Sequence, residues 1–192
     1  MPDPAPFPET LTTARLTLRV PTAEDGPAMA ALVNANLEHL RPWLPWAQMP
    51  RTPEQQQGSM ARAHDKFLQG EDLMYLMLLE GQPIGSCGIH RIDWAVPSGD
   101  IGYWLDQRRE GHGYVTETAR ALTELALKPA AAGGLGFERL EIRCDARNLK
   151  SAAVPERLGF ELEARLKRHA RDPQHPEQFR DTLIFARWPH EY

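Results

Sequence analysis

The chain has 192 residues, 42% of them hydrophobic and 25% charged, with a net charge of -4 and an isoelectric point near 6.0. These values fit one globular domain with a sizeable core and exclude a general attraction to nucleic acid or anionic membranes. The two cysteines, Cys87 and Cys144, lie far apart in strand-like contexts, and no apolar run approaches the ~20 residues of a membrane span, so a cytoplasmic protein with reduced thiols is expected.

The opening MPDPAPFPET lacks the basic start and apolar stretch of a secretion signal, and its prolines predict an extended arm over residues 1–13. RLTLRV (15–20) alternates Leu16, Leu18 and Val20 against polar neighbours, a half-buried strand. Residues 21–40 read as a helix with Pro27 in its first turn, RPWLPWAQMPRTP breaks it, and residues 53–69 read as a second helix with Met60, Ala63, His64 and Phe67 on one side. LMYLMLLEGQPIGSCGIHRI is a hairpin turning at 81–83, and the apolar character of both faces of 73–79 predicts a strand covered on two sides. A strand at 101–106, a helix at 113–127, the breaker KPAAAGGLG, a strand at 139–146 and a helix at about 151–158 follow, with two closing strands joined by RDPQHPE. Alternating strands and helices in the second half point to an α/β fold built on a mixed sheet, with no linker to divide it.

The junction between the 101–106 strand and the next helix, DQRREGHG, carries two glycines one residue apart and a cluster of charge. A helix N-terminus offers unpaired amides and the positive end of its dipole, and Gly111 and Gly113 let the backbone approach an anion. A tight turn is the plain alternative. GHGYVT lacks the third glycine of a dinucleotide fingerprint and the lysine of a P-loop, so neither of those folds is expected.

Three stretches in order, DIGYWLDQRREGHGYVTETARAL, RCDARNLKSAAVPERLGF and QFRDTLIFARW, with RLTLRV and LEHLRPWLPWA before them, resemble the GCN5-related N-acetyltransferases (GNAT). Within that family they are similar to the RimJ/RimL-like branch that acetylates ribosomal-protein N-termini. The resemblance covers residues 14–188 and implies a central, mostly antiparallel sheet with one splayed parallel strand pair, flanked by helices, in a single acetyltransferase domain over 14–192. It implies acetyl-CoA as co-substrate. Tyr103, Trp104 and Leu105 would line the pantetheine arm, and the amides of Gly111, His112, Gly113, Tyr114 and Val115 would hold the pyrophosphate. The family's [RQ]xxGx[GA] pattern falls on Glu110 and ends on Val115. This sets a carboxylate beside the pyrophosphate, a repulsion that Arg108 and Arg109 could offset.

Asn148 and Ser151 match the family's N-x-x-S, with serine as proton donor to the CoA sulfur and asparagine as a contact to the cofactor arm. Read from the residues alone, Ser151 equally suits a helix N-cap. Pro155 must lie in the first turn or disturb the helix. The branch's glutamate base falls on Ala170, and Glu163 and His169 lie near without matching. An α-amine with a pKa of about 8 costs roughly 1.4 kcal/mol to deprotonate at pH 7, whereas a lysine costs about 4.6, so a weak base favours an α-amine. Trp43 and Trp46 could form the acceptor pocket or simply anchor a proline-rich corner. The histidines show no metal-binding spacing, so no metal is expected. Glu117 reads as a first-turn carboxylate and Asp181 as a strand contact. The expected activity is N-acetylation of a primary amine, a protein N-terminus or a small molecule, with a non-catalytic acyl-CoA-binding module as the rival; a homodimer stays open.

Overall fold

The computed structural model describes residues 7–189. The chain enters the sheet through β1 (Thr10–Thr12), paired antiparallel with β2 (Thr17–Arg19) in the register Leu11 to Leu18. Residues 10–12 are therefore an edge strand, although the sequence places them in an extended arm. The β-branched Thr10 and Thr12 suit a strand, and Phe7 anchors the approach by packing on Phe67 and Trp94. The first six residues of that arm lie outside the described residues.

A single helix over 21–40 is not what forms. A short turn at Ala23–Asp25 leads into α1 (Gly26–Ala35), and α2 (Leu37–Leu40) follows after a break at Asn36. The break has a cause. Asn36 is buried, its Nδ2 donates to the Leu32 carbonyl (2.9 Å), and its Oδ1 accepts from the Gln107 amide (2.8 Å), tying this corner to a distant loop. The next helix, α3 (Pro53–Gln69), has the predicted bounds because Thr52 caps it and Gly70 ends it at φ 68°.

β3 (Leu73–Leu79) and β4 (Gln82–Asp93) form the hairpin, joined through Glu80 and Gly81 at φ 50° and 79°, the paired positive φ of a tight two-residue turn. Then come β5 (Ser98–Leu105), α4 (Tyr114–Leu127), β6 (Arg139–Asp145), α5 (Leu149–Arg157), β7 (Glu161–Arg171) and β8 (Phe179–Arg187). The eight strands make one sheet in the order β1-β2-β3-β4-β5-β6-β8-β7, antiparallel throughout except for β5 and β6. Those two are parallel, so the intervening α4 crosses over a face of the sheet.

Both faces of β3 are covered, as its apolar run requires. Leu76 and Leu78 meet Met29, Leu32 and Met60 from α1 and α3. Leu73, Tyr75 and Met77 point the other way, into the main core with Ala119, Leu122 and Ala126 of α4. Leu140, Ile142 and Cys144, the alternate residues of β6, join that core. Sequence periodicity and packing agree here.

Candidate active site

The site begins where two strands part. β5 and β6 pair from Ser98/Arg139 to Ile101/Ile142 and no further, although β5 stays bonded to β4 as far as Leu105. Beyond Ile101 and Ile142 the parallel strands diverge, and a cleft of about 1860 Å³ opens between them. Tyr103, Trp104 and Leu105 line one wall; Cys144, Asp145, Asn148 and Ser151 line the other.

The loop from β5 to α4 closes one end. Asp106 accepts from the Arg108 amide (3.2 Å) and from its guanidinium (2.7 Å to Nη2), fixing the first turn after β5. Gly111 and Gly113 then stand at φ 80° and 79°, and a Cβ on Gly111 would meet nothing within 4 Å. Conformation, not space, demands glycine there. No acceptor among the described residues meets the amides of residues 111–116, and Glu117 N–H is the first to find one, on Gly113 O (3.0 Å). A row of free donors at the positive end of α4 suits a diphosphate.

Arg15 straps this loop to β2's approach. Its Nη1 donates to His112 O (2.9 Å) and its Nε to Glu117 (2.7 Å), while Thr13 Oγ1 donates to the same carboxylate (2.6 Å). Burial opposes ionisation of Glu117, but the bonds from Thr13 and Arg15 hold its carboxyl below the usual range. The Arg15 guanidinium also lies 4.5 Å from the centre of the Tyr114 ring, on which His112 stacks. His112 itself does not line the cleft; its Nδ1 faces the Glu110 carbonyl at 2.9 Å.

Glu110 has found other partners than the flanking arginines. Lys150 Nζ lies 2.6 Å from its carboxylate and His39 Nε2 lies 3.2 Å away, so α2 and α5 meet at this side chain. Arg108 is engaged with Asp106 instead. The carboxylate expected to repel a diphosphate is thereby held by a lysine that spans the cleft from its opposite wall.

At the opposite wall Asn148, not Ser151, caps α5. Its Oδ1 accepts from Ser151 N–H at 3.1 Å, so the helix starts at Leu149 rather than at 151, and the Ser151 hydroxyl is not needed as a cap. Tyr103 O–H donates to the Ser151 carbonyl (3.1 Å), and its oxygen lies 3.3 Å from Ser151 Oγ. Burial pushes the Tyr103 phenol up, only partly offset by the Ser151 bond, and pushes the Cys144 thiol up to about 11; both stay protonated at neutral pH.

The wall facing α2 comes from the last two strands. Arg180 Nη1 donates to the Trp43 carbonyl (3.2 Å) and lies 3.5 Å from Asp145, joining β8, β6 and the turn after α2. His169, Ala170 and Thr182 line the cleft here, and His169 Nδ1 lies 3.0 Å from Thr182 Oγ1. Trp43 lines the cleft. Trp46 does not: it packs edge-on against Trp104 (centroids 6.1 Å apart) in a separate cavity of about 440 Å³ between α1, α3 and the sheet.

Residues 15–161 match the acetyltransferase (GNAT) domain. The chain belongs to the GNAT acetyltransferase family. Among curated relatives of this acetyltransferase, YdaF of Bacillus subtilis, which is named for ribosomal N-acetyltransfer, is 28% identical over 173 residues covering 88% of each chain. The ribosomal-protein-serine acetyltransferase of Escherichia coli is 29% identical over 136 residues, 71% of this chain and 73% of its own. Among solved structures, the ribosomal-protein alpha-N acetyltransferase RimL in complex with coenzyme A superposes with a TM-score of 0.84 at 26% identity, covering 94% of this chain and 98% of that one.

In this acetyltransferase the cleft gathers most of the residues singled out from the sequence. The wall residues Tyr103, Trp104 and Leu105, the loop residues Gly111, Gly113, Tyr114 and Val115, and Asn148, Ser151 and Trp43 all line it. Trp104 borders both cavities, its ring packed on the α1 and α2 side. Sequence reasoning missed Arg15, Lys150 and Arg180. Each acts on a partner at least 40 positions away, and no local spacing signals such a contact.

Proposed function

We propose that this acetyltransferase takes acetyl-CoA into the cleft and transfers the acetyl group to an α-amine, a protein N-terminus being the favoured acceptor. The observation that carries the reading is the parting of β5 and β6 beyond Ile101 and Ile142, between a row of free amides and the Ser151 hydroxyl. Those amides suit the diphosphate, and the Tyr103–Leu105 wall suits the pantetheine arm. The amine nitrogen adds to the thioester carbonyl, the C–S bond breaks, and the departing sulfur takes the Ser151 proton. The nitrogen's surplus proton leaves through solvent, from which Ser151 is reprotonated.

The α-amine preference follows from what the acceptor wall lacks. Ala170, where the resemblance puts a carboxylate base, lines the cleft with a methyl group. An α-amine needs only about 1.4 kcal/mol to lose its proton at pH 7, against about 4.6 for a lysine, so it tolerates a weak base. The names of the Escherichia coli relative and of RimL support the same acceptor class. Release of CoA thiol from acetyl-CoA, measured with peptides bearing a free or blocked N-terminus, with free lysine and with polyamines, tests it. Release and a mass gain confined to the free N-terminus are expected, and Ser151→Ala should slow it about tenfold or more while acetyl-CoA still binds. Turnover of polyamines alone would overturn the acceptor; an unchanged rate in Ser151→Ala would remove its role.

A further inference from the structure

Pro155 lies seven residues into α5, well past the first turn, and it is buried. A proline there has no N–H for the carbonyl four residues back, and its ring crowds that carbonyl outward. The residue four back is Ser151. Its carbonyl is met instead from across the cleft, by the Tyr103 hydroxyl at 3.1 Å. The phenol proton, shared between that carbonyl and Ser151 Oγ at 3.3 Å, holds the serine oxygen as an acceptor and leaves the serine's own proton free for the departing sulfur. The Asn148 cap holds the amide of the same residue at 3.1 Å. Ser151 is thus gripped at its N–H, its C=O and its Oγ, and the last two bonds come from one side chain on the strand that borders the thioester.

We propose that Tyr103 is a positioning residue that fixes the Ser151 hydroxyl, and that Pro155 creates the attachment point by denying the Ser151 carbonyl its helical partner. The proposal rests on the role given to Ser151 above. It sets Tyr103 apart from Trp104 and Leu105: its ring lines the cleft, while its hydroxyl acts on the proton donor. A tie between β5 and α5 also spans the gap where the two parallel strands have stopped pairing, so the serine keeps its distance from the strand that carries the substrate arm.

A double-substitution cycle tests this. Tyr103→Phe keeps the ring and removes the tie, so CoA release with an N-terminal peptide should slow about tenfold while the acetyl-CoA dissociation constant moves less than twofold. Pro155→Ala returns an N–H to the Ser151 carbonyl. In that background Tyr103→Phe should lose much less, in turnover and in Tm alike. An equal loss in both backgrounds would overturn the proposal, as would an unchanged turnover in Tyr103→Phe or a loss explained wholly by weaker acetyl-CoA binding. The Tm cycle needs no acceptor. A wild-type protein that released no CoA thiol would sink the functional reading, whereas absent coupling in Tm would sink the carbonyl tie itself.

Discussion

Glu110 shows how a residue that looks wrong in isolation becomes tolerable in place. A free carboxylate beside the amides proposed to hold a diphosphate would repel it, but Lys150 sits 2.6 Å and His39 3.2 Å from its oxygens. Lys150 is largely exposed, so the pair is screened by solvent and salt, and its effect on the fold is small. Its effect on an incoming dianion is larger, because the same charge is either neutralised or bare. Lys150→Ala should raise the acetyl-CoA dissociation constant about three- to tenfold at low salt and less at high salt, and Glu110→Gln should lower it. In the Glu110→Gln background Lys150→Ala should cost little if neutralisation is its role. A full loss there would mean that the ammonium touches the phosphates directly. Isothermal titration with acetyl-CoA reads all four proteins.

At the scale of elements, much of the architecture was legible because hydrophobic period and capping chemistry are local. The predicted bounds of α3, 53–69, hold, with Thr52 and Gly70 at its ends, and the alternation of RLTLRV and of residues 139–146 matches the buried residues in and beside β2 and in β6. The misreadings have two other causes. Asn36 breaks the first helix for a bond to Gln107, and Asn148 starts α5 early by reaching Ser151; the first is a tertiary contact, and the second turns on which of two good caps is used. The loop glycines were legible, and the structure adds what each costs. A Cβ on the strand glycine Gly85 of β4 would lie 2.2 Å from Trp104 O, a steric clash, whereas one on the loop glycine Gly113 would come no nearer than 3.7 Å to Arg15. Gly113→Ala therefore meets only the left-handed strain of about 1–2 kcal/mol, a Tm loss of ~2–8 °C. Relief of that strain should turn the amide row, so acetyl-CoA affinity should fall in parallel. A drop in Tm with unchanged affinity would separate loop geometry from binding.

Over the whole molecule, carboxylates clamped by arginines recur, both between distant segments and within a strand. Arg15 and Glu117 join the β1–β2 turn to α4, Arg139 and Arg143 flank Glu141 on β6, and Arg147 and Arg180 hold Asp145 where β6 meets β8. In each case burial opposes the charge, yet the hydrogen bonds and the nearby guanidinium groups hold the carboxyl below its ordinary value, 4.5 for Glu117 and Glu141 and 3.8 for Asp145. A depressed folded pKa means that the unfolded chain binds protons more readily, so the stabilisation is complete above the ordinary value and drains away as pH falls through the folded one. Tm should hold between pH 7 and about 5 and fall steeply below about 4, with the sheet's second half exposed to the loss at both Glu141 and Asp145. Glu117→Gln isolates one clamp: it should lower Tm at pH 7 and reduce the further loss on acidification, because the group whose protonation releases Arg15 is gone. A Glu117→Gln protein with the wild-type acid slope would show that the strap across the loop contributes nothing to holding α4 in place.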